Sequence, residues 1–228
     1  MANSQTKFYG ALAAIFVAGA AIIGYVVVRA QSASVDIEPV AAPATLPGEL
    51  VSEEVGVSRG PADAAVTIEE YADYQCPSCG MAATLTVPQI LENYVDTGKA
   101  RFVFYDFPIP VRPGISEQGA EAARCAGDQG AFWAMHKVLM GRMREWGSKR
   151  DPGGMFREYG DALGLDGKAV EDCVDSGKYR QIVLASQQRA RQLGIGQTPT
   201  FIVNGRPIAR LMDYDQMTTI IDEALTTQ

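Results

Sequence analysis

The spacing of hydrophobic and polar positions changes along the chain, and each change marks the start of another predicted structural element. The longest apolar run extends from Phe8 to Val28, and its 21 residues include no charge and no proline. As a helix this run would measure about 31 Å, the thickness of the hydrocarbon core of a bilayer. The pattern predicts an N-terminal transmembrane helix within residues 1–30, and the alternative is a signal peptide cleaved after Ala30. Either interpretation exports the rest of the chain.

Residues 31–54 have the composition of a flexible linker. From Gln31 to Ala65 the chain has no Phe, Tyr or Trp, and prolines stand among Ala, Glu and Ser. Such a segment cannot bury a core and favours extended, solvated backbone. We therefore expect a tether before a folded domain over residues 55–228, and Val51–Val57 can add a short edge strand to that domain.

Beyond the linker, β-type and helical periods alternate. The VTIEEY run from Val66 predicts a strand, and the next residues have helical spacing, so strand, tight turn and helix are expected. Pro88 inside that helix predicts a kink. The segment ARFVFYDF predicts a second strand, and TPTFIVNGRPI predicts a hairpin that turns at Asn204-Gly205. A final helix is expected to begin at Asp213.

A long helical block separates the second strand from the hairpin. Residues of about 115–193 show almost no strand signal and contain three or four helical segments. Two strands joined by a helix, followed by a hairpin and a closing helix, predict a small mixed sheet with helices on its faces. The predicted fold class is therefore α/β, with the helical block inserted as a subdomain.

Composition narrows the classes of function. The 228 residues are 47% apolar and 21% charged, which excludes a disordered chain. The formal net charge of −7 removes the electrostatic basis for non-specific binding of nucleic acid, so no nucleic-acid partner is expected. Four cysteines and a single histidine cannot form a His-rich metal site, and no metal is predicted.

The motif Cys76-Pro77-Ser78-Cys79 is the candidate for chemistry. It follows a predicted strand and opens a predicted helix, where sulfurs three residues apart share one face within reach of a disulfide. A thiolate at a helix N-terminus is stabilised by backbone N–H groups, so Cys76 can exchange with a partner's sulfur and Cys79 can resolve the mixed disulfide. The alternatives are half of a zinc site and a structural disulfide.

Three features together resemble the DsbA-like thiol:disulfide oxidoreductases: EEYADYQCPSC, the later TPTF, and the helical block between them. The resemblance extends from about residue 55 to the C-terminus and implies a thioredoxin-like fold with an inserted helical subdomain. It implies that Cys76 is the nucleophile and Cys79 the buried resolving cysteine. It also implies a cis peptide bond at Pro199, preceded by Thr198, facing the disulfide.

The resemblance assigns one more site residue and leaves one property open. Glu70 matches the family's buried acid, which shuttles protons to Cys79. Alternation sends Glu69 and Glu70 to opposite faces of the strand, and a solvated edge-strand acid is the alternative role. For Pro199 the alternative is a trans proline that starts a strand. Ser78 stands where strongly oxidising members have histidine, so the redox potential stays open.

We expect structural roles for the other two cysteines and for the histidine. Cys125 and Cys173 both fall in the helical block, and in an exported chain we expect them to form a disulfide, with two buried free thiols as the alternative. His136 is expected to be a packed helix residue with no catalytic role.

The sequence as a whole predicts a membrane-tethered thiol:disulfide oxidoreductase that forms disulfides in exported proteins through Cys76 and Cys79. The predicted location is the cytoplasmic membrane, crossed once, with the catalytic domain on the periplasmic or outer side. No cofactor is expected. The implied partners of this monomer are reduced or misoxidised exported proteins and a DsbB-like or vitamin K epoxide reductase-like membrane oxidase. The alternatives are a disulfide isomerase or reductase, and a non-enzymatic thioredoxin-fold chaperone module.

Overall fold

The computed structural model describes residues 55–109, 114–208 and 211–227. The transmembrane helix predicted within residues 1–30 and the linker predicted over residues 31–54 lie outside the described residues. Within the three described ranges, no helix combines the length and the apolar character needed to cross a bilayer.

A five-stranded mixed sheet forms the centre of the fold. Its strands are β1 (Val57–Arg59), β2 (Val66–Ala72), β3 (Ala100–Asp106), β4 (Thr200–Val203) and β5 (Arg206–Ile208). The spatial order is β1-β3-β2-β4-β5. The pair β2 and β3 is parallel, as the helical crossover between them requires, and the other pairs are antiparallel. The predicted mixed sheet is confirmed, and its edge strand begins at Val57.

The crossover helix, α1 (77–95), changes its winding along its length. It consists of Pro77–Met81, Ala82–Thr86, Val87–Ile90 and Leu91–Val95, of which the second and fourth pieces are π-helical. The N–H of Val87 donates to the carbonyl of Ala82, five residues earlier. Because Pro88 has no N–H to donate, the regular pattern cannot continue through it. The disturbance predicted at Pro88 therefore takes the form of a wide π-helical turn before it.

The helical block contains six helices in the described ranges. They are α2 (Ile115–Gly127), α3 (Phe132–Gly141), α4 (Met143–Trp146), α5 (Gly153–Ala162), α6 (Gly167–Ser176) and α7 (Arg180–Gln192). A final helix, α8 (Tyr214–Thr226), follows the hairpin. The sequence predicted three or four helical segments, because the short breaks between these helices have weak sequence signals.

The two faces of the sheet are covered by different helices. Ile68 and Glu70 point to the face on which α1, α8 and the inserted helices build the main core. Tyr71 points to the other face, where it packs with Ala190 and Ile195, which lie on α7 and just after it. The last helix of the block therefore covers the sheet, although the sequence assigned it to the inserted subdomain.

A buried tryptophan organises the inserted helices. Trp146 has no exposed surface, its ring lies 5.5 Å from that of Phe156, and its indole N–H donates to the carbonyl of Leu139 at 2.8 Å. A Cβ atom at Gly119 would lie 2.6 Å from the Trp146 ring, so only glycine permits this approach. The tryptophan thus fixes α4 against α2 and α5.

The remaining local predictions agree with the structure. Cys125 and Cys173 form a disulfide, with Cα atoms 5.9 Å apart, that joins α2 to α6. Asn204 and Gly205 have φ values of 44° and 82°, the positive values that a tight hairpin turn requires. Asp213 is the N-cap of α8 and accepts a hydrogen bond from the backbone N–H three residues later, at 2.9 Å.

Candidate active site

The cysteine pair lies at the junction of β2 and α1. Cys76 is the N-cap of α1; its N–H donates to the carbonyl of Asp73 at 3.0 Å, and its carbonyl accepts from Gly80 at 3.1 Å. Pro77 occupies the first helical turn, where a missing N–H has no cost. Cys76 is half-buried and Cys79 is fully buried. One sulfur is therefore accessible and the other is shielded by the core.

Hydrogen bonds stabilise the negative charge on Cys76. A hydrogen bond from the Cys79 side chain is the main cause that lowers the pKa of Cys76 to about 5, and burial acts against it. The hydroxyl of Ser78, with Oγ 3.0 Å from the Cys76 Sγ, donates a further hydrogen bond. Burial and the hydrogen bond to Cys76 raise the pKa of Cys79. At neutral pH the pair therefore carries one thiolate, on Cys76, and one thiol.

Glu70 is a fully buried carboxyl group in the middle of the sheet. It pairs with Phe104 on β3 and Phe201 on β4, and it has no exposed surface. Neither of its carboxyl oxygens has a hydrogen-bond partner among the residues that the structure describes. Burial raises the pKa of Glu70 to about 8, and the charge of Cys76 adds to this effect. Alternation predicted that one of Glu69 and Glu70 points inward, and the inward residue is Glu70, as the resemblance implied.

The predicted loop before β4 also reaches the cysteine pair. The Thr198-Pro199 peptide bond is cis. The carbonyl oxygen of Thr198 lies 3.5 Å from the Cys76 Sγ, from which it can accept a thiol hydrogen bond. The fold thus brings Cys76, Cys79, Thr198 and Pro199 to one place, although the two motifs are more than a hundred residues apart in the sequence.

Asp73 is a site residue that sequence reasoning missed. Its buried carboxylate accepts hydrogen bonds from the backbone N–H groups of Gln75 and Ile109, both at 2.7 Å, and from the hydroxyl of Ser116. These contacts tie the loop of Cys76 to the segment after β3 and to α2. Burial raises the pKa of Asp73, and the charge of Cys76 adds to it. An aspartate at a strand end is too common to single out from sequence.

His136 is buried away from the sulfurs, as predicted. Its Nδ1 atom lies 2.9 Å from the hydroxyl oxygen of Tyr74, and its ring packs edge to face against Phe104 at 4.5 Å. Burial lowers the pKa of His136 to about 3, so the ring is neutral. The histidine serves packing in the aromatic core.

An open groove of about 660 Å³ runs past Cys76. Four described parts of the chain line it: the loop before α1, the segment after β3, the region of α4, and the loop before β4. Its lining residues are Asp73, Gln75, Cys76, Pro77, Ile109, Met143, Arg144, Gly147, Ser148, Gly196, Gln197 and Thr198. A groove of this size beside a reactive thiolate can accept an extended segment of another protein.

Comparison with known proteins places this architecture in a family. A family model described as Thioredoxin matches residues 52–223. The structure of alpha-DsbA1 from Wolbachia pipientis superposes with a TM-score of 0.67 at 21% identity, covering 75% of this chain and 91% of that one. The chain belongs to the thioredoxin family, and its fold is similar to that of alpha-DsbA1. The predicted thioredoxin-like fold with a helical insertion is confirmed.

Two curated relatives of this thioredoxin-family chain extend beyond the matched region. The chain is 36% identical over 152 residues to the Na(+)/H(+) antiporter NhaA 3 of Salinispora tropica, a match covering 65% of this chain and 21% of that protein. It is 27% identical over 166 residues to a putative protein-disulfide oxidoreductase of Rickettsia conorii, covering 72% of this chain and 58% of that protein. The chain thus spans about a fifth of the length of the Salinispora tropica protein and somewhat over half of the length of the Rickettsia conorii protein.

The hydrogen bond from Ser78 predicts a measurable change in the Cys76 pKa. Ser78→Ala removes a donor to the thiolate, so we expect the pKa of Cys76 to rise by about one unit. The ultraviolet absorbance of the thiolate, followed in a pH titration of the reduced protein, measures this value. Ser148→Ala, which changes a serine that lines the groove beside Cys76, should leave the pKa unchanged. An unchanged pKa in Ser78→Ala would show that the hydroxyl does not stabilise the charge.

Proposed function

We propose that this chain is a thiol:disulfide oxidoreductase that forms disulfides in other proteins through Cys76 and Cys79. The observation that carries the proposal is the accessible, low-pKa Cys76 with the buried thiol of Cys79 one helical turn away. The printed name of the Rickettsia conorii relative, a putative protein-disulfide oxidoreductase, supports the same reaction.

The proposed reaction has two exchange steps. A substrate thiolate attacks Sγ of Cys76 in the oxidised enzyme; the Cys76–Cys79 bond breaks, a mixed disulfide forms, and Cys79 leaves as a thiolate that takes up a proton. A second substrate thiolate then attacks the substrate sulfur and releases Cys76 as a thiolate. The substrate loses two electrons and forms its disulfide, and the enzyme pair gains those two electrons.

The low pKa of Cys76 supports oxidation over isomerisation or reduction. The folded reduced protein has a Cys76 pKa of about 5, below the ordinary thiol value of 9.0. The resulting stabilisation of the reduced form is complete above the ordinary value and is lost as the pH falls through about 5. A stabilised reduced form makes the disulfide a stronger oxidant at neutral pH.

Single-cysteine variants test the assignment of the two sulfurs. Because exchange is reversible, the reduced Cys79→Ser protein should attack a model protein with one disulfide and remain in a mixed disulfide through Cys76. The Cys76→Ser protein should form none, since Cys79 is buried and its pKa is raised. Non-reducing electrophoresis and intact-mass measurement detect the complexes. The pre-oxidised wild type should convert a reduced model protein to its disulfide form.

Two results would contradict this function. Complexes on Cys79 of the Cys76→Ser protein, with none on Cys76 of the other variant, would reverse the roles of the sulfurs. A wild-type protein that exchanges with no model protein would argue for a non-enzymatic module.

We further propose that Glu70 is the base for Cys79. Glu70 points to the sheet face on which α1 packs, and Cys79 is buried in the same core. Cys79 must lose its proton before it attacks a mixed disulfide on Cys76, and a carboxyl group with a pKa of about 8 can accept that proton near neutral pH.

Glu70→Gln should slow the step that depends on the Cys79 thiolate. When the reduced enzyme reacts with oxidised glutathione, Cys76 first forms a glutathione mixed disulfide, and Cys79 then displaces glutathione. We expect this second step to be at least about tenfold slower in Glu70→Gln and to lose the rise with pH that the ionisation of Glu70 produces. Quenched-flow mass spectrometry follows the accumulated mixed disulfide.

The neighbouring glutamate supplies the control. Glu69→Gln changes the carboxyl group on the opposite sheet face, where it accepts a hydrogen bond from the Tyr71 hydroxyl at 2.8 Å, and should leave the second step unchanged. Equal slowing in both variants, or none in Glu70→Gln, would exclude Glu70 as the base.

Residues 8–28 are proposed to anchor the chain in the cytoplasmic membrane with the catalytic domain outside the cytoplasm. Their apolar length supports the anchor, and the Cys125–Cys173 disulfide supports an oxidising compartment.

An alkaline wash of membranes tests the anchor. The full chain should stay in the membrane fraction after the wash, and a chain shortened to begin at Val51 should be released. A full chain that washes off would exclude an uncleaved anchor.

This placement defines the proposed partners. Reduced or misoxidised exported proteins are the substrates of the monomeric enzyme, and a DsbB-like or vitamin K epoxide reductase-like membrane oxidase regenerates the disulfide. The reoxidation step transfers two electrons from the reduced cysteine pair to that oxidase.

A further inference from the structure

The described lining of the groove beside Cys76 includes one charged side chain without an ion pair. In the oxidised protein, in which Cys76 carries no charge, Asp73 and Arg144 are the only described lining residues with charged groups. The carboxyl group of Asp73 is buried and accepts three hydrogen bonds from the protein. Arg144 is exposed and has no ion pair within the part of the chain that the structure describes. Among the described lining residues of the oxidised protein, a ligand therefore meets a single available charge, and it is positive.

The position of Arg144 is fixed by contacts on both sides. It lies on α4, whose last residue, Trp146, is fully buried and hydrogen-bonded to the α3 backbone. The side-chain amide of Gln75 donates to the carbonyl of Gly147 at 3.0 Å, which links the end of α4 to the residue before Cys76. The backbone that carries Arg144 is thus held at a set place relative to the reactive sulfur.

The charge of Arg144 belongs to a local basic surface on an acidic protein. The stretch from Arg142 to Arg150 contains four basic residues and one acidic residue, whereas the whole chain has a net charge of −7. Arg142 pairs with the acidic residue, Glu145, at 3.3 Å. Lys149 and Arg150 are exposed and, in the described ranges, unpaired. This end of the groove is therefore positive, although the protein as a whole repels anions.

We propose that Arg144 is a specificity-determining residue that favours substrate segments with a carboxylate one or two residues from the reacting cysteine. The inference rests on the proposed oxidoreductase function and names the substrate class of that site. A segment that brings its cysteine to Cys76 in the groove places neighbouring side chains within the same groove. Arg144 takes no part in the bond changes; it lowers the free energy of the docked encounter with an acidic segment.

Matched peptides test the preference in single turnovers. The pre-oxidised full-length chain reacts with three dithiol peptides that differ only in the residue before the first cysteine, which is Glu, Gln or Lys. Each rate of loss of the enzyme disulfide is divided by the rate of the same peptide with oxidised glutathione, because a neighbouring charge also changes the thiol pKa. The wild type should prefer the Glu over the Lys peptide by about threefold to tenfold at low salt.

Variants assign the preference to one side chain. Arg144→Gln should bring the normalised ratio close to one, and Arg144→Glu should reverse it. Arg157→Gln removes the same charge from an exposed arginine that does not line the groove, and it should keep the wild-type ratio. High salt should shrink the wild-type preference, since exposed charges are screened.

The outcomes distinguish a failure of this inference from a failure of the proposed oxidoreductase function on which it rests. If all three peptides reduce the enzyme disulfide at equal normalised rates, or if Arg144→Gln keeps the preference, the inference is wrong and the oxidoreductase function stands. If no peptide reduces the wild-type disulfide, the proposed function is wrong and the inference falls with it.

Discussion

The negative charge on Cys76 is the interaction on which the rest of the site depends. Hydrogen bonds from Cys79 and Ser78 hold it, and it raises the pKa of Glu70 beyond the effect of burial. When Cys76 enters a disulfide, that charge disappears and one reason for the raised pKa of Glu70 disappears with it. The pKa of Glu70 is therefore lower in the mixed disulfide than beside the Cys76 thiolate, and a larger fraction of the carboxyl group is ionised and free to take the proton that Cys79 must lose. The two sulfurs and the carboxyl group thus form a coupled set.

Two buried carboxyl groups of the sheet differ in whether they have a charged partner. Asp106 forms a buried ion pair with Arg124 at 2.5 Å, and Arg124 also donates to the carbonyl of Val55 at 2.7 Å. Glu70 on the neighbouring strand has no such partner in the described ranges. An unpaired buried carboxyl group costs stability, and a partner would have lowered the pKa of Glu70 and removed its value as a base. The missing partner is thus a reason to place Glu70 in the chemistry.

Features that depend on neighbours in sequence were predictable, and those that depend on tertiary contacts were not. Strand alternation predicted that either Glu69 or Glu70 points inward, and a CxxC motif between a strand and a helix predicted a site at Cys76. The resemblance selected Glu70 as the inward residue. The resemblance supplied the loop of Thr198, which no local pattern links to the cysteines. The roles of Asp73 and Arg144 arise only when the inserted helices pack against the loop before α1. Sequence periodicity contains no information about that contact.

The two cysteine pairs differ for physical reasons that follow from their positions. Cys125 and Cys173 are 48 residues apart, so their bond removes much of the conformational freedom of the unfolded chain and stabilises the inserted helices. A bond between Cys76 and Cys79 would close a ring too small to do this, and hydrogen bonds in the first turn of α1 stabilise the Cys76 thiolate of the reduced pair. One disulfide therefore gains stability from staying closed, whereas the other is poised to open. The same chain can then hold a permanent disulfide and an exchangeable pair.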